Sequence, residues 1–505
     1  MLATLTSFSS LYLTTLLMMT GIGLFNTYMA LRLNSEAVSA VWVGALIAAY
    51  YGGLVLGARL GHKLIIRVGH IRAYVACAAI STTMVLLQTL VLSLPVWLGF
   101  RLVAGVAMVT QLMVIESWFN EQTENQQRGR VFSFYMLISG LGTVMGQLAL
   151  TAYPVLDLRP LTIVAICQAI CLVPLALTAR SHPAAQVPAP LDVKFFVGRV
   201  PMSLVALFVA GNLSGAFYGL APVYAAQQGY STSQAAIFVA VAVMAGLLAQ
   251  WPMGWLSDRL NRARLIRVNA LLIVILVLPM WGWLNLPFWL LLAFSAGFGA
   301  LQFTLYPLGA AFANDHMEAE RRVGLAAILL MAYGLGACLG PLVAGLFMDL
   351  GGSGMFFVFS SLCAAILVAF MRPEKVTGEH RVDEAPVQFV PAPDGLQSSP
   401  MSATMDPRSD PALDVYVETV AVDNTPVTET EGPPAPAAPP AAEPSAADLP
   451  VAEPPHAGPP LAGPPLAEPP LAEPPAAGSP LAGPPSSGTE PEAGSGPPGP
   501  AKPQA

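Results

Sequence analysis

Twelve apolar stretches, each about as long as a membrane-spanning helix, occupy most of residues 1–372. A spanning helix needs roughly 20 mostly apolar residues, and in lipid it must pair its backbone polar groups internally. The pattern predicts an all-α integral membrane fold with twelve transmembrane helices. We number these spans 1 to 12, and they run near 7–31, 41–61, 73–92, 95–118, 131–152, 157–179, 201–226, 233–256, 265–284, 286–313, 323–348 and 353–371.

The Lys and Arg residues fall almost entirely on one side of these spans. The loops that follow even-numbered spans, together with the sequence just after span 12, hold nearly all of them, whereas the odd loops and their helix ends hold only Arg32, Arg101 and Arg159. Basic residues near helix ends are retained in the cytoplasm. We therefore expect a multi-pass protein of the bacterial inner membrane with both termini in the cytoplasm.

The C-terminal part has a different composition. Residues 1–375 contain 20 Lys and Arg against 12 Asp and Glu, whereas the remainder has 3 against 18 and is dominated by Pro, Ala and Gly. Five-residue units such as LAEPP and LAGPP repeat from 451 to 485. Such sequence cannot bury enough apolar surface to offset chain entropy. It predicts a disordered, acidic cytoplasmic tail over 373–505, which serves either as a spacer or as a docking segment for a cytoplasmic partner.

The membrane part divides into two related halves. Gly142 and Gly146 in span 5 form G-x-x-x-G, and Gly336 and Gly340 in span 11 repeat it at an offset of 194 residues. This constant offset indicates two pseudo-symmetric six-helix halves. We predict an N-terminal half over 1–180, a cytoplasmic linker over 181–200 and a C-terminal half over 201–372.

Several classes of function find no support in the motifs. The chain lacks the nucleotide-binding pattern G-x-x-x-x-G-K-[ST], the nucleophile pattern G-x-S-x-G and the zinc-protease pattern H-E-x-x-H. His, Cys and carboxylate residues do not cluster at metal-ligand spacing, and all five Cys lie inside predicted spans. The basic residues are spread over separate loops beside a membrane, which does not suggest nucleic-acid binding. We expect no enzyme activity, cofactor or metal.

Polar side chains inside the spans are the candidates for a solute or coupling site. A charge near the bilayer centre normally faces a cavity or a partner. Arg101 lies about two turns into span 4, and Glu116 lies fifteen residues further along, roughly 22 Å away along the helix. Glu116 either pairs with a basic loop residue such as Arg128 or acts as a protonatable group. The other candidates are Asn26, Gln147, Gln250, Tyr218 and Tyr306.

Two loops resemble the loop signature of the major facilitator superfamily, G-x-L-x-D-R-x-G-R-[RK]. After span 8 the chain reads G-W-L-S-D-R-L-N-R-A-R, with Asn261 in place of the second Gly; after span 2, Ile66 stands where the acid is expected. The resemblance implies that these loops form a cytoplasmic gate. The loop-motif residues are Gly254, Asp258, Arg259 and Arg262 in the second half and Arg67, Gly69 and Arg72 in the first.

Motifs within the spans extend the resemblance. Arg101 in R-L-V-A-G resembles the family's span-4 signature, and Gly336, Gly340 and Pro341 resemble its antiporter signature, displaced to span 11. In span 5 itself, Gln147 follows Gly146. Segments such as L-F-N-T, V-I-E-S, Y-G-L-A-P-V-Y and F-T-L-Y-P make residues 5–372 similar to the YcaD-type bacterial subfamily. This similarity implies an inner-membrane transporter in which two halves rock about a site near the midplane.

We therefore expect a secondary active transporter that acts as a monomer in the lipid bilayer on a small-molecule substrate, with a proton as the candidate coupling ion. Export of a hydrophobic compound and uptake of a small metabolite are both open. The alternative is a membrane scaffold or sensor that kept the carrier fold and works through its tail. A scaffold would lose its phenotype when residues 376–505 are deleted, whereas a carrier would not.

Overall fold

The computed structural model describes residues 8–123, 127–177, 192–318 and 321–372, and also 382, 385–387, 389–391, 399 and 401–402. The described chain is all-helical, as the sequence predicts. In this part of the protein, eleven helices are long and apolar enough to cross a membrane, while span 12 is a shorter apolar helix. The repeats of 451–485 and most of the linker 181–200 lie outside the described residues.

The first six spans form an N-terminal set of helices. Span 6 is interrupted at Cys171, and a short 3-10 turn over Leu150–Ala152 extends span 5. The helices are Ser9–Ser35, Ala40–Val68, His70–Leu90, Leu94–Gln122, Arg128–Ala149 and, for span 6, Arg159–Ile170 with Leu172–Ala176.

The last six spans follow a short helix, Val193–Arg199, at the end of the linker. Span 9 ends in a 3-10 turn over Leu278–Met280, and Pro residues lie inside spans 7, 8, 10 and 11. The helices are Pro201–Gln227, Thr232–Ser257, Arg262–Val277, Phe288–Asn314, Arg322–Gly351 and Met355–Phe370.

The turn between spans 2 and 3 is tighter than the sequence suggests. Span 2 continues to Val68, so Arg67 lies in its last helical turn, and Arg72 already belongs to span 3. Only Gly69 separates the two helices, at φ +84°. Residues with a side chain rarely adopt this left-handed conformation, which explains the Gly at this position of the loop motif.

Small residues bring spans 1 and 5 together in one half, and spans 7 and 11 in the other. A Cβ on Gly146 would overlap the backbone oxygen of Thr20 in span 1, and a Cβ on Gly340 would overlap that of Asn212 in span 7. In lipid, apolar surface gives helices no reason to associate, so close backbone contact of this kind supplies much of the attraction. The two G-x-x-x-G motifs thus occupy equivalent helix junctions, six spans apart.

The same relation links spans 2 and 4 with spans 8 and 10. Gly53 and Gly105 face each other across spans 2 and 4, where each would clash if it carried a Cβ, and Gly299 of span 10 lies against Ala242 of span 8. Corresponding pairs of helices therefore pack through small residues in both halves. This repetition is the structural form of the internal symmetry seen in the sequence.

The helix bundle has two ends, which we name by their loops. The basic end carries the turns after spans 2, 4, 6, 8 and 10, and the far end carries those after the odd-numbered spans. At the far end the halves are hydrogen-bonded: the Asp349 carboxylate accepts the backbone N–H groups of Ala40 and Val41 at 2.8 and 3.1 Å, and Gln227 Nε2 donates to Asn34 Oδ1 at 3.0 Å. The halves are therefore closed against each other at the far end.

At the basic end, part of the predicted tail lies against both halves. We call it segment 382–402, meaning its described residues 382, 385–387, 389–391, 399 and 401–402. Val387, Phe389, Val390 and Ser399 are buried. Segment 382–402 is the part of the predicted tail over 373–505 that the structure describes. This stretch contains Phe389 and Met401, whereas the repeats of 451–485 contain no aromatic residue and no Met.

Candidate functional site

A small cavity lies among spans 1, 2, 3, 4 and 6 of the N-terminal half. Its volume is about 30 Å³, and its polar lining comes from Asn26, Tyr50, Ser81, Arg101 and Gln168. This volume accommodates roughly one water molecule. The cavity is therefore a polar pocket that would have to enlarge before it could hold an organic solute.

Arg101 is the charged group of this cavity and is only 5% exposed. Its Nη2 donates to Asn26 Oδ1 at 3.0 Å, and its guanidinium carbon lies 4.6 Å from the Phe25 ring centroid and 4.4 Å from that of Tyr50. Two of the residues nominated from sequence, Asn26 and Arg101, are thus in direct contact, although they lie on spans 1 and 4. Tyr50 completes the arrangement from span 2.

The close packing of spans 2 and 4 places Tyr50 beside Arg101. Gly105 sits one helical turn after Arg101, and its lack of a side chain lets span 4 approach the backbone oxygen of Tyr50. The arginine is thereby held between two aromatic rings. Such cation–π contacts are worth about 0.5–1 kcal/mol at exposed sites and about 2 kcal/mol when desolvated.

No carboxylate neutralises Arg101 among the residues that the structure describes. Its partners are a neutral amide and two aromatic rings, so the cavity keeps a full positive charge. Removing an ion from water costs several kcal/mol, which is why a buried charge normally has an opposite charge beside it. The arrangement is suited to an anionic group that would enter the cavity and supply this missing charge.

Sequence reasoning missed two polar residues of the same cavity. Gln168 Oε1 has no hydrogen-bond partner in the described part of the chain, and Ser81 Oγ accepts a 3.2 Å bond from Gln111 Nε2. Their signal was weak, because single Ser and Gln residues in a span are ordinarily helix-packing contacts. Only their position beside Arg101 distinguishes them.

The remaining polar candidates lie elsewhere. Tyr218 and Tyr306 belong to aromatic groups of the C-terminal half, with ring centroids 5.7 Å from Phe303 and 5.0 Å from Tyr333, respectively. Gln147 and Gln250 are buried in spans 5 and 8, and the side-chain oxygen of each lacks a hydrogen-bond partner within the described ranges. The structure shows neither of these pairs in contact with Arg101.

Glu116 is fully buried near the basic end. Tyr135 donates its hydroxyl to Glu116 Oε1 at 3.1 Å. The backbone N–H of Ser399 donates to the two carboxylate oxygens at 3.0 and 3.2 Å, and the Ser399 hydroxyl also donates to Oε2. The Ser402 backbone also forms a hydrogen bond with this carboxylate. Among the residues that the structure describes, none of these partners is basic. The ion pair with a loop residue, one of the two alternatives from sequence, is therefore not the arrangement found here.

Arg262 is the centre of the loop motif that follows span 8. It is buried, and it donates to Asp315 Oδ1 at 2.6 Å, to Asp258 Oδ1 at 2.9 Å and to Ser257 Oγ at 3.0 Å. It also donates to the backbone oxygens of Ala311 and Val387. The network ties the ends of spans 8, 9 and 10 together and extends to segment 382–402.

The other basic residues of the loop motifs are exposed, unlike Arg262. Arg259 is exposed and lies 4.0 Å above the Trp255 ring, while Arg67 and Arg72 are exposed on the first half. Gly254 lies in span 8, in contact with the ring of Phe389.

Asp315 accepts the shortest of these hydrogen bonds from Arg262, and the sequence analysis did not identify it. It belongs to no motif, and it comes close to Arg262 only because spans 9 and 10 pack together. In the described ranges, no cluster of His, Cys, Asp and Glu is placed to hold a metal.

Comparison with known proteins shows what the chain resembles. The family model described as Major Facilitator Superfamily matches residues 11–301 and 271–418. An uncharacterized MFS-type transporter of Enterobacter sp. (strain 638) is 30% identical over 371 residues, which is 72% of this chain and 94% of the relative. The uncharacterized MFS-type transporter YcaD of Escherichia coli O139:H28 is 28% identical over 364 residues, or 71% of this chain and 93% of the relative.

Solved structures give the same fold. A mutant of the nucleoside transporter NupG matches with a TM-score of 0.63 at 16% identity and covers 72% of this chain and 98% of its own. A bacterial homolog of the human lysosomal transporter Spinster, solved in an inward-facing and occupied conformation, matches with a TM-score of 0.60 at 17% identity. The match covers 75% of this chain and 99% of the Spinster homolog. At these identities the likeness shows the architecture alone.

Arg262 and Arg259 belong to the same loop motif, but Arg262 is buried and Arg259 is exposed, so their substitution should change the stability by different amounts. Arg262→Ala would leave Asp315 buried without its cation, and we expect a loss of about 3–5 kcal/mol in unfolding free energy. Arg259→Ala removes an exposed stacking contact worth about 0.5–1 kcal/mol. Unfolding of the two purified variants in detergent measures the difference. Equal losses for the two substitutions would contradict the assignment of Arg262 as the structural centre.

Proposed function

Because the chain belongs to the Major Facilitator Superfamily, we propose that it is a secondary active transporter, which moves a small solute across the bacterial inner membrane by alternating access. The membrane helices and the transporter structures that share the fold support this proposal over a scaffold or sensor. The relatives' names give no substrate, so the substrate class must come from this chain's own residues.

The observation that carries the substrate class is the unneutralised Arg101. A solute with a carboxylate or phosphate group would supply the missing negative charge and accept hydrogen bonds from the guanidinium, whose planar fork suits both anions. Asn26 would hold the guanidinium in place, and Gln168 would offer a further polar contact. A hydrophobic export substrate fits this site only if it also carries an acidic group.

The charge pattern supports a cytoplasmic location for the basic end. With that orientation, the hydrogen bonds around Asp349 and Gln227 close the outer side, and the protein is in a form closed to the exterior. For the solute to reach Arg101 from outside, the far end must open while the basic end closes. The small cavity would have to enlarge during this cycle for the solute to bind.

Proton coupling through Glu116 is a separate part of the proposal. The protonated and ionised forms of the Glu116 carboxyl would accept the Tyr135 hydroxyl with different strength, because a hydrogen bond to a charged acceptor is stronger than one to a neutral acceptor. Arg101 lies too far along span 4 to pair with it. Glu116 would then carry the proton near one end of the helix while Arg101 holds the solute near the other.

The first test measures solute flux in proteoliposomes against a panel of anionic, neutral and cationic metabolites and drugs. We expect uptake of one or more anionic solutes, and a reduction of about 10- to 150-fold with Arg101→Gln, because a hydrogen bond to a charged group is worth about 1.5–3 kcal/mol. Arg159→Gln is the matched control, since Arg159 is exposed at the far end. Flux that is unchanged in Arg101→Gln would contradict the proposal.

The second test separates coupling from binding. Glu116→Gln removes the proton-carrying group but keeps its size and a hydrogen-bond acceptor for Ser399. We expect solute accumulation driven by a proton gradient to be lost, while exchange of solute across the membrane without a gradient continues. If the Gln variant still concentrates solute on a proton gradient, Glu116 is a structural residue and coupling lies elsewhere.

A further inference from the structure

Segment 382–402 contacts the C-terminal half through its main chain. The backbone N–H of Val387 donates to Asp315 Oδ1 at 2.9 Å, and that of Phe389 donates to Asp258 Oδ1 at 3.1 Å. Arg262 returns a hydrogen bond to the backbone oxygen of Val387. The segment therefore completes the buried charge network of the loop motif.

The same segment contacts the N-terminal half about ten residues later. Ser399 donates its backbone N–H and its hydroxyl to the Glu116 carboxylate. Glu116 lies in span 4, whereas Asp258 and Asp315 lie at the ends of spans 8 and 10. One stretch of chain thus binds carboxylates of both halves at the basic end, opposite the junction around Asp349.

Apolar side chains fix the position of the segment between the halves. The Phe389 ring lies against Gly254 of span 8, so closely that a Cβ there would come within 2.5 Å of the ring. Val390 belongs instead to the apolar cluster that contains Trp118 and Phe119 of span 4. The neighbouring residues Phe389 and Val390 therefore pack with different halves.

We propose that segment 382–402 is an intramolecular plug for the opening between the two halves at the basic end. While it is bound, it covers Glu116, occupies the Asp258–Arg262–Asp315 network and ties the halves together where they must move. It therefore inhibits the transport cycle, and the cycle requires its release. This function is distinct from solute binding at Arg101.

The chain's own tail is the occupant because of its attachment. Val382 follows the end of span 12 at Phe370 by twelve residues, and its backbone N–H donates to the Asp315 backbone oxygen at 3.1 Å. A short tether gives the segment an effective concentration on the order of millimolar at this opening. A free cytoplasmic peptide would have to compete against that concentration.

The test uses the full chain in detergent or nanodiscs and two readouts that do not depend on transport. Hydrogen exchange follows the backbone amides of Val387, Phe389 and Ser399. Carboxyl labelling with a water-soluble carbodiimide and an amine, quantified by mass spectrometry, follows Glu116. Glu36, which is exposed at the far end, is the internal control for labelling.

Phe389→Asp places a charge against span 8 and should release the segment. We expect exchange of the three amides and labelling of Glu116 each to accelerate about tenfold or more, with Glu36 labelling and exchange in the spans unchanged. Leu461→Asp adds the same charge in the repeats and should change neither readout. Ser399→Asp, which places a carboxylate beside Glu116, is a second releasing variant that leaves the span 8 contact intact.

Two results would overturn the plug. The first is exchange of the Val387, Phe389 and Ser399 amides in the unmodified chain as fast as amides of the 451–485 repeats. The second is unchanged Glu116 labelling in both releasing variants. If the plug holds and neither releasing variant transports any solute of the panel, the proposed transport function fails by itself. If transport is found and the segment of the unmodified chain exchanges freely, only the plug fails.

Discussion

A buried charge in a membrane protein must be compensated, and this requirement organises the functional parts of the molecule. Arg262 is compensated by two carboxylates, Asp258 and Asp315. Glu116 is compensated by hydroxyl and backbone donors, part of them from segment 382–402. Arg101 differs from these two groups, because its described partners are an amide and two rings. Arg101 also lines the cavity of the N-terminal half, and we therefore place the solute beside it.

Close packing of small residues provides the frame in which these charges sit. Each half is assembled through Gly residues at equivalent helix junctions, such as Gly146 in span 5 and Gly340 in span 11. The two halves meet through hydrogen bonds at the far end, whereas at the basic end segment 382–402 lies between them. Direct contacts at one end and the tail segment at the other are consistent with our proposal that the halves rock against each other and that the segment leaves during the cycle.

Much of the fold was predictable from the sequence, because lipid imposes strong rules on helix length, loop charge and helix contacts. The twelve spans and the paired G-x-x-x-G motifs follow from those rules. The contact of Asn26 with Arg101 was harder to foresee, since it depends on the packing of spans 1 and 4. The roles of Asp315 and Ser399 could not be read from the sequence. Neither residue belongs to a motif, and each acquires its partner only when segments distant in the chain are brought together.

The central claim is that Arg101 forms an anion site. It is tested most directly by ligand-dependent thermal stability of the purified full chain, since a ligand that binds the folded state alone raises the unfolding temperature. We predict that the stabilising solutes in a charge-balanced panel carry a carboxylate or phosphate, and that Arg101→Gln abolishes the shift while Arg159→Gln retains it. Stabilisation by neutral or cationic solutes alone, or an anion shift that survives Arg101→Gln, would contradict the account.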